Sequence, residues 1–171
     1  MLRIIGDGEH AKVVREAARW WQRGKIIAIG NIDDRAEAWA DDDEGLSFWA
    51  NVIHRDASVS RDAYLWGGVY VGPGAVINRG AYVGFHAIVN SGAIVEHDVV
   101  IGTLVNVGPG VVIGGGAKIG RETYLGIGCM IRDHVKIGRD VTVGMGAVVV
   151  SDVPDGVTVM GCPARIVECS T

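Results

Sequence analysis

A six-residue repeat runs without an insertion from Arg55 to Val150 and limits what this chain can fold into. Counted from Arg55, sixteen hexads follow one another. The fifth position of each is Val, Ile or Leu, and the third is Ala, Val, Thr or Cys. Positions three and five are two residues apart, so on an extended strand their side chains point to the same face. Each hexad therefore supplies one small and one larger side chain to an interior.

Glycine marks the ends of the hexads. The chain has 26 glycines in 171 residues, and 19 of them lie between Arg55 and Val150. Position six is Gly or Asn in eleven hexads, and position two is Gly in eight. These residue types tolerate the backbone turns that a corner needs. The pattern predicts short strands separated by corners, in a chain that must coil so that each turn covers the last.

This pattern resembles the hexapeptide-repeat left-handed parallel β-helix, in which three hexads make one triangular coil. The resemblance alone implies the handedness, because parallel crossovers are generally right-handed. Sixteen hexads give just over five coils, which is about 25 Å at the usual spacing between strands. The predicted fold class is mainly β, a left-handed parallel β-helix of hexapeptide repeats preceded by a small α/β unit.

The two ends of the chain lie outside the repeat. LRIIG has the composition of a strand, Ala11–Arg23 has apolar residues at helical spacing, Lys25–Gly30 is a second strand candidate and Asp33–Asp43 a second helix candidate. After Val150 the repeat breaks at SDVPDG, and the short tail can cap the last coil. The predicted organisation is a Rossmann-like βαβα unit at 1–50, the β-helix at 51–150 and a C-terminal cap at 151–171.

Charge and composition argue against several partners. The net charge is −4 and no segment is dominated by Lys and Arg, so we expect neither nucleic acid nor an anionic membrane as a partner. No apolar run approaches the ~18 residues that span a bilayer, and the N-terminus is too polar for a signal peptide. The three cysteines, Cys129, Cys162 and Cys169, lack CxxC spacing. They indicate free thiols in a reducing cytoplasm.

Three adjacent polar residues, Glu96, His97 and Asp98, interrupt the aliphatic alternation of NSGAIVEHDVVIG. A zinc site would need three ligands at about 2 Å from the ion. On the expected helix His97 and His134 lie on one face two coils apart, roughly 10 Å, and His86 lies on another face. We therefore expect no metal site, which leaves a solvated corner or a catalytic group.

Four motifs are similar to those of the sugar acetyltransferases related to sialic acid O-acetyltransferase and to the bacterial UDP-4-amino-sugar N-acetyltransferases. GDGEHAKVV is similar to their GxGGHAKVV opening and NSGAIVEHDVVIG to their NTGAxIEHDCxIG signature, while VGMGAVVVSDVP and VMGCPARIV are similar to their final coil and tail. The resemblance covers nearly the whole chain. It implies an acetyl-CoA-dependent acyltransferase that is a homotrimer with sites between subunits. Its acceptor would be a sugar or nucleotide-linked amino sugar of polysaccharide biosynthesis.

The resemblance also implies roles for individual residues. His97 is the general base, because a neutral imidazole can take a proton from an amine or hydroxyl. Asp98 and Asn90 orient His97, with Glu96 the less favoured orienting group, and the N–H of Gly115 stabilises the oxyanion during direct transfer. The implied CoA contacts are Asn106, Gly115, Gly126, Ile127, Gly144 and Met145, with Pro163–Arg165 near the nucleotide, and the implied acceptor contacts are Gly6, Gly8 and His10.

Three functions remain open. The first is an N- or O-acetyltransferase of a sugar or nucleotide-sugar, which Asn90, His97 and Asp98 favour. The second is a non-catalytic trimeric β-helix module, and the third is a hexapeptide acetyltransferase for another small acceptor. The short N-terminal unit and Glu9, which replaces a glycine of the opening motif, favour these two. Asn106 stands where the family commonly has histidine.

Overall fold

The computed structural model describes residues 2–5, 12–14, 24–27 and 50–167. Two strands lie in the N-terminal part, β1 (Leu2–Ile5) and β2 (Gly24–Ile27). One strand, β3 Val52–Ile53, directly precedes the repeat. The strands of the repeat are β4 Ser58–Val59, β5 Tyr64–Leu65, β6 Tyr70–Val71, β7 Val76–Ile77, β8 Tyr82–Val83, β9 Ile88–Val89, β10 Ile94–Val95, β11 Val100–Ile101, β12 Asn106–Val107, β13 Val112–Ile113, β14 Lys118–Ile119, β15 Tyr124–Leu125, β16 Met130–Ile131, β17 Lys136–Ile137, β18 Thr142–Val143 and β19 Val148–Val149. Two strands follow the repeat, β20 Thr158–Met160 and β21 Arg165–Val167.

The N-terminal strands form a parallel pair. Leu2 lies opposite Gly24 and Ile5 opposite Ile27, and residues 12–14 between them are helical. This order agrees with the first strand, helix and second strand expected from the sequence. The second helix candidate, Asp33–Asp43, lies outside the described residues, so the Rossmann-like unit and the three domain boundaries stay predictions.

The strands of the repeat form the three faces of a parallel β-solenoid. Sheet I contains β4-β7-β10-β13-β16-β19, sheet II contains β5-β8-β11-β14-β17, and sheet III contains β3-β6-β9-β12-β15-β18-β20-β21. Successive strands of the chain visit the sheets in the order III, I, II. We name each corner by the two sheets it joins, so that the I/II corner follows a strand of sheet I and leads to one of sheet II.

Coils stack in a constant register. Asn106 of β12 lies opposite Ile88 below and Tyr124 above, which are both eighteen residues away. The solenoid has about six turns, slightly more than the just over five coils expected from the hexads, because β3 precedes the first hexad and β20 follows the last. The parallel β-solenoid is confirmed, and its left-handed sense stays a prediction.

The interior consists of the third and fifth positions of the hexads. From Val69 to Val149 each residue at these positions is 3% exposed or less. Burial at about 25 cal/mol per Å² of apolar surface supplies the main stabilising free energy of such a stack. The one hydroxyl at an inward third position is that of Thr123. It donates to the carbonyl of Gly138 at 2.9 Å and accepts from the N–H of Val141 at 3.3 Å, so its polar atom is satisfied in the core.

The glycines at positions two and six serve two different purposes, whereas the sequence suggested backbone freedom for both. At position two, eight glycines have a positive φ, and so do six residues that are not glycine, among them His86 and Asp98. Glycines at position six do not have this conformation. An added Cβ at Gly102 would lie 2.6 Å from the backbone N of Arg121 in the next coil. At Gly102 glycine is therefore required because the adjacent coil approaches too closely for a side chain.

Both ends of the solenoid carry specific terminating contacts. At the first coil the side chain of Asn51 accepts a hydrogen bond from the N–H of Val69 at 2.9 Å. At the last coil β21 pairs antiparallel with β20, which ends the parallel pairing of sheet III. This hairpin lies in the C-terminal tail, whose role as a cap stays a prediction. Strand β21 covers the edge of β20, which would otherwise be free to pair with another chain.

A Gly→Ala substitution should lower the free energy of unfolding by different amounts at position six and at position two. Gly102→Ala should lower the free energy of unfolding by about 3 kcal/mol, because the new Cβ overpacks against rigid backbone. Gly110→Ala should cost about 1 kcal/mol, for left-handed backbone strain alone, since Gly110 has φ +65 and no atom within 4 Å of an added Cβ. Thermal and denaturant unfolding of both variants measures the difference. Equal losses would contradict this explanation of position six.

Candidate active site

His97 and Asp98 form an exposed pair at the I/II corner between β10 and β11. The Nδ1 of His97 lies 2.9 Å from Oδ2 of Asp98, and the side chains are 57% and 60% exposed. Asp98 adopts φ 59, and its N–H donates to the carbonyl of Arg79 in the coil below. The carbonyl of His97 accepts from the N–H of Gly116 in the coil above at 2.9 Å. The backbone of the pair is thus fixed from both sides.

The contact with Asp98 determines what the imidazole of His97 can do. A carboxylate beside Nδ1 favours the tautomer in which Nδ1 carries the proton, which leaves the lone pair of Nε2 available. Gly115, a predicted site residue, lies against the other side of the ring. An added Cβ at Gly115 would be 2.7 Å from Nε2 of His97. The arrangement can accept a proton at Nε2 from a group bound next to Gly115.

Two further candidates for orienting His97 make other contacts. Glu96 accepts a hydrogen bond from the side chain of Asn78 at 3.1 Å. Asn90 lies at the preceding III/I corner, where its side-chain oxygen accepts from the N–H of Ser91 at 2.8 Å. Strand β10 separates Asn90 from His97, so a single chain does not bring these two side chains together. Asp98 is the one of the three that contacts the imidazole.

Most of the predicted CoA residues stack at the III/I corner. Gly126 and Ile127 follow β15, and Gly144 and Met145 follow β18 one coil above. An added Cβ at Gly126 would lie 2.7 Å from the backbone N of Met145. Ile127 is 56% exposed and Met145 78%. Asn106 is a neighbour on sheet III, 9% exposed.

The predicted site residues are therefore divided between the two edges of sheet I. His97, Asp98 and Gly115 occupy the I/II edge, whereas Asn90 and the CoA candidates at Gly126, Ile127, Gly144 and Met145 occupy the III/I edge. Gly6, Gly8 and His10 lie outside the described residues.

The structure adds features that sequence reasoning did not find. Gly80 lies directly below Asp98, and a cavity of about 600 Å³ lies beneath the C-terminal hairpin, lined partly by Ser151, Asp152 and Arg165. Only the eighteen-residue register could have pointed to Gly80, since it is remote from His97 in sequence.

Among the described residues no group of three or more His, Cys, Asp or Glu side chains could hold a metal ion. No helix in the described ranges has the length and apolarity to cross a membrane.

Known proteins share this architecture. The family described as "Bacterial transferase hexapeptide (six repeats)" matches residues 116–151. PerB from Caulobacter crescentus, in complex with CoA and GDP-perosamine, is 32% identical with a TM-score of 0.93, over 98% of this chain and 97% of that one. The acetyltransferase domain of PglB from Neisseria gonorrhoeae FA1090, in complex with acetyl coenzyme A, is 30% identical with a TM-score of 0.91, over 97% and 98% of the chains. No curated protein matches.

A hexapeptide solenoid that CoA-bound acetyltransferases match over nearly its whole length belongs to the hexapeptide acyltransferase class. With 32% identity to PerB over nearly the full length of both chains, the chain belongs to the family of hexapeptide-repeat acetyltransferases that includes PerB and the PglB domain. The resemblance seen in its sequence motifs is thereby confirmed.

Cys129 is buried at an inward third position, and burial raises the pKa of its thiol to about 12. The thiol is therefore protonated at neutral pH and is no candidate nucleophile. In a variant carrying Cys162→Ser and Cys169→Ser, we expect no reaction with a disulfide reagent at pH 8 in the folded protein. The same variant should react fully in guanidinium chloride. Rapid reaction of the folded variant would show that Cys129 is accessible.

Proposed function

We propose that this chain is an acetyl-CoA-dependent acetyltransferase whose acceptor is an amine or hydroxyl of a sugar, in the first place a nucleotide-linked amino sugar. The observation that carries the proposal is the His97–Asp98 pair, exposed on a fold shared over nearly its whole length with PerB, whose structure holds CoA and GDP-perosamine. Two other matched structures of perosamine N-acetyltransferase are variants in which one histidine is replaced. An exposed, oriented imidazole argues against a non-catalytic module.

The proposed reaction is a direct transfer. Nε2 of His97 takes the proton from the acceptor amine or hydroxyl. At the same time the nitrogen or oxygen of the acceptor attacks the thioester carbonyl. The tetrahedral intermediate collapses with cleavage of the C–S bond, and His97 returns the proton to the CoA thiolate. Within residues 50–167 the N–H of Gly115 donates to no backbone carbonyl. It is thus available, next to Nε2, to stabilise the oxyanion.

The division of the site between two edges of sheet I supports a homotrimer. The outward residues of β7, β10, β13, β16 and β19 in sheet I form an aliphatic row that is not fully buried in one chain. The members of this row are Val76, Ile94, Val112, Met130 and Val148. A contiguous apolar row that is open to solvent is typical of a contact between protein chains. Three copies packed through this row would place the His97 edge of one chain beside the III/I edge of the next, with Asn90, Ile127 and Met145.

The remaining parts of the proposal follow from the sequence. The N-terminal unit would bind the acceptor, with His10 near the reacting sugar and Gly6 and Gly8 under a phosphate. The enzyme would serve polysaccharide biosynthesis in the cytoplasm, where Cys129 and Cys162, which are free thiols in the structure, stay reduced.

Replacing the base should separate binding from chemistry. In His97→Ala we expect acetyl transfer to fall by about 10²- to 10⁴-fold, the usual contribution of a general base. The affinity for acetyl-CoA should change little, because His97 is not among the proposed CoA contacts. Titration calorimetry with acetyl-CoA and rate assays with UDP- and GDP-linked amino sugars measure the two effects. Wild-type protein that binds no acetyl-CoA at millimolar concentration would overturn the proposed function.

The proposed subunit contact is tested by a charge on the aliphatic row. Ile94→Lys should convert the trimer into monomers in sedimentation velocity, because three ammonium groups would be brought into one apolar contact. The matched control is Val100→Lys, which puts the same charge on the outward face of sheet II, where Val100 is 39% exposed. The control should remain trimeric. A wild-type monomer, or an unaffected Ile94→Lys trimer, would contradict assembly through sheet I.

A further inference from the structure

Gly80 leaves the space that the carboxylate of Asp98 occupies. Gly80 lies one coil below Asp98 at the I/II corner, with φ +69. A Cβ added at Gly80 would overlap Oδ1 of Asp98 and lie 3.4 Å from its Cγ. The other carboxylate oxygen, Oδ2, is the one that contacts Nδ1 of His97. Any side chain at position 80 would therefore displace the group that orients the imidazole.

Among glycines with the same backbone conformation, an added Cβ meets a side chain of the coil above at three positions, where it meets Asp98 above Gly80, His86 above Gly68 and His134 above Gly116. Gly92 and Gly110 also occupy position two with φ +65, and an added Cβ there would meet nothing within 4 Å. At Gly74, with φ +66, the nearest atoms would be 4.0 Å away. The left-handed backbone explains glycine at all of these positions, but only at Gly80 does an added Cβ overlap the carboxylate of Asp98.

Gly115 limits the pair from the opposite side. An added Cβ at Gly115 would lie 2.7 Å from Nε2 and 2.8 Å from Cε1 of His97. Asp98 is thus held against a glycine one coil below, and His97 against a glycine one coil above. The side chains themselves are more than half exposed, so these two backbone surfaces, and not a surrounding core, define where the pair can lie.

From this geometry we propose that Gly80 is a positioning residue for the His97–Asp98 pair. Its missing side chain lets the Asp98 carboxylate lie against the coil below, with Oδ2 on Nδ1 of His97, so that Nε2 is directed to the corner of Gly115. This role rests on the proposed function in so far as His97 acts as a base. The placement of Asp98 can nevertheless be measured without any substrate.

The direct test compares Gly80→Ala with Gly74→Ala, since both impose the same left-handed strain and only the first meets Asp98. Both variants should lose similar thermal stability. Only Gly80→Ala should lower kcat, by about 10- to 100-fold when orientation of a general base is lost, with KM for acetyl-CoA unchanged. Equal kcat values in the two variants would overturn the proposal.

A double-mutant cycle separates positioning from general damage. If Gly80 acts through Asp98, then adding Asp98→Asn to Gly80→Ala should cause almost no further loss of kcat, because the contact is already broken. If the kcat losses of Gly80→Ala and Asp98→Asn multiply in the double variant, Gly80 affects activity independently of Asp98. If Gly80→Ala does not fold, Gly80→Asn and its control Gly74→Asn serve the same purpose, because Asn tolerates positive φ.

A spectroscopic measurement keeps this inference distinct from the proposed function. In ¹⁵N NMR of the histidine side chains, His97 of the wild type and of Gly74→Ala should show the tautomer protonated at Nδ1. Gly80→Ala should shift it towards the tautomer protonated at Nε2. An unchanged His97 signal in Gly80→Ala would overturn the positioning role even in an active enzyme. A shifted signal in a protein without transferase activity would uphold the geometry and refute the function.

Discussion

The stacking of one coil on the next through backbone hydrogen bonds, in an eighteen-residue register, determines the other distances in this protein. Strands that pair along a solenoid lie about 4.8 Å apart. That spacing leaves no room for a Cβ between Gly102 and Arg121. The same register decides that Gly80, Asp98 and Gly116 follow one another at one corner. The interior and the candidate site are both consequences of it.

Much of the fold was predictable because the inward positions repeat in every hexad. An aliphatic residue at position five and a small one at position three are local signals, and they specify strands, corners and core without knowledge of distant contacts. The two additional strands, β3 and β20, were missed because they lie outside the hexads. β3 follows Asn51, a polar residue at an inward position, and the last coil is two residues shorter, since Thr142 pairs with Thr158.

The site was only partly predictable, for a different physical reason. The EHD motif predicts His97 as the general base, and the structure adds that Asp98 contacts its Nδ1. The role of Gly80 and the separation of Asn90 from His97 depend on which residues are stacked in space. In the sequence Asn90 precedes His97 by seven residues. In the structure the two residues lie at different corners, with strand β10 between them. What appears as one motif in the sequence occupies two edges of a sheet.

The constant register also has a consequence for how the chain folds. Most paired residues are eighteen positions apart in a chain of 171, a relative separation of about 0.1, which is typical of rapidly folding helical bundles. Parallel sheets usually require distant segments to meet, but here each coil needs only the one before it. Folding can then spread from any completed coil in either direction, as in other repeat proteins. A partly folded chain would be a shorter solenoid with two open ends, and the antiparallel pairing of β21 marks where growth stops at the C-terminal end.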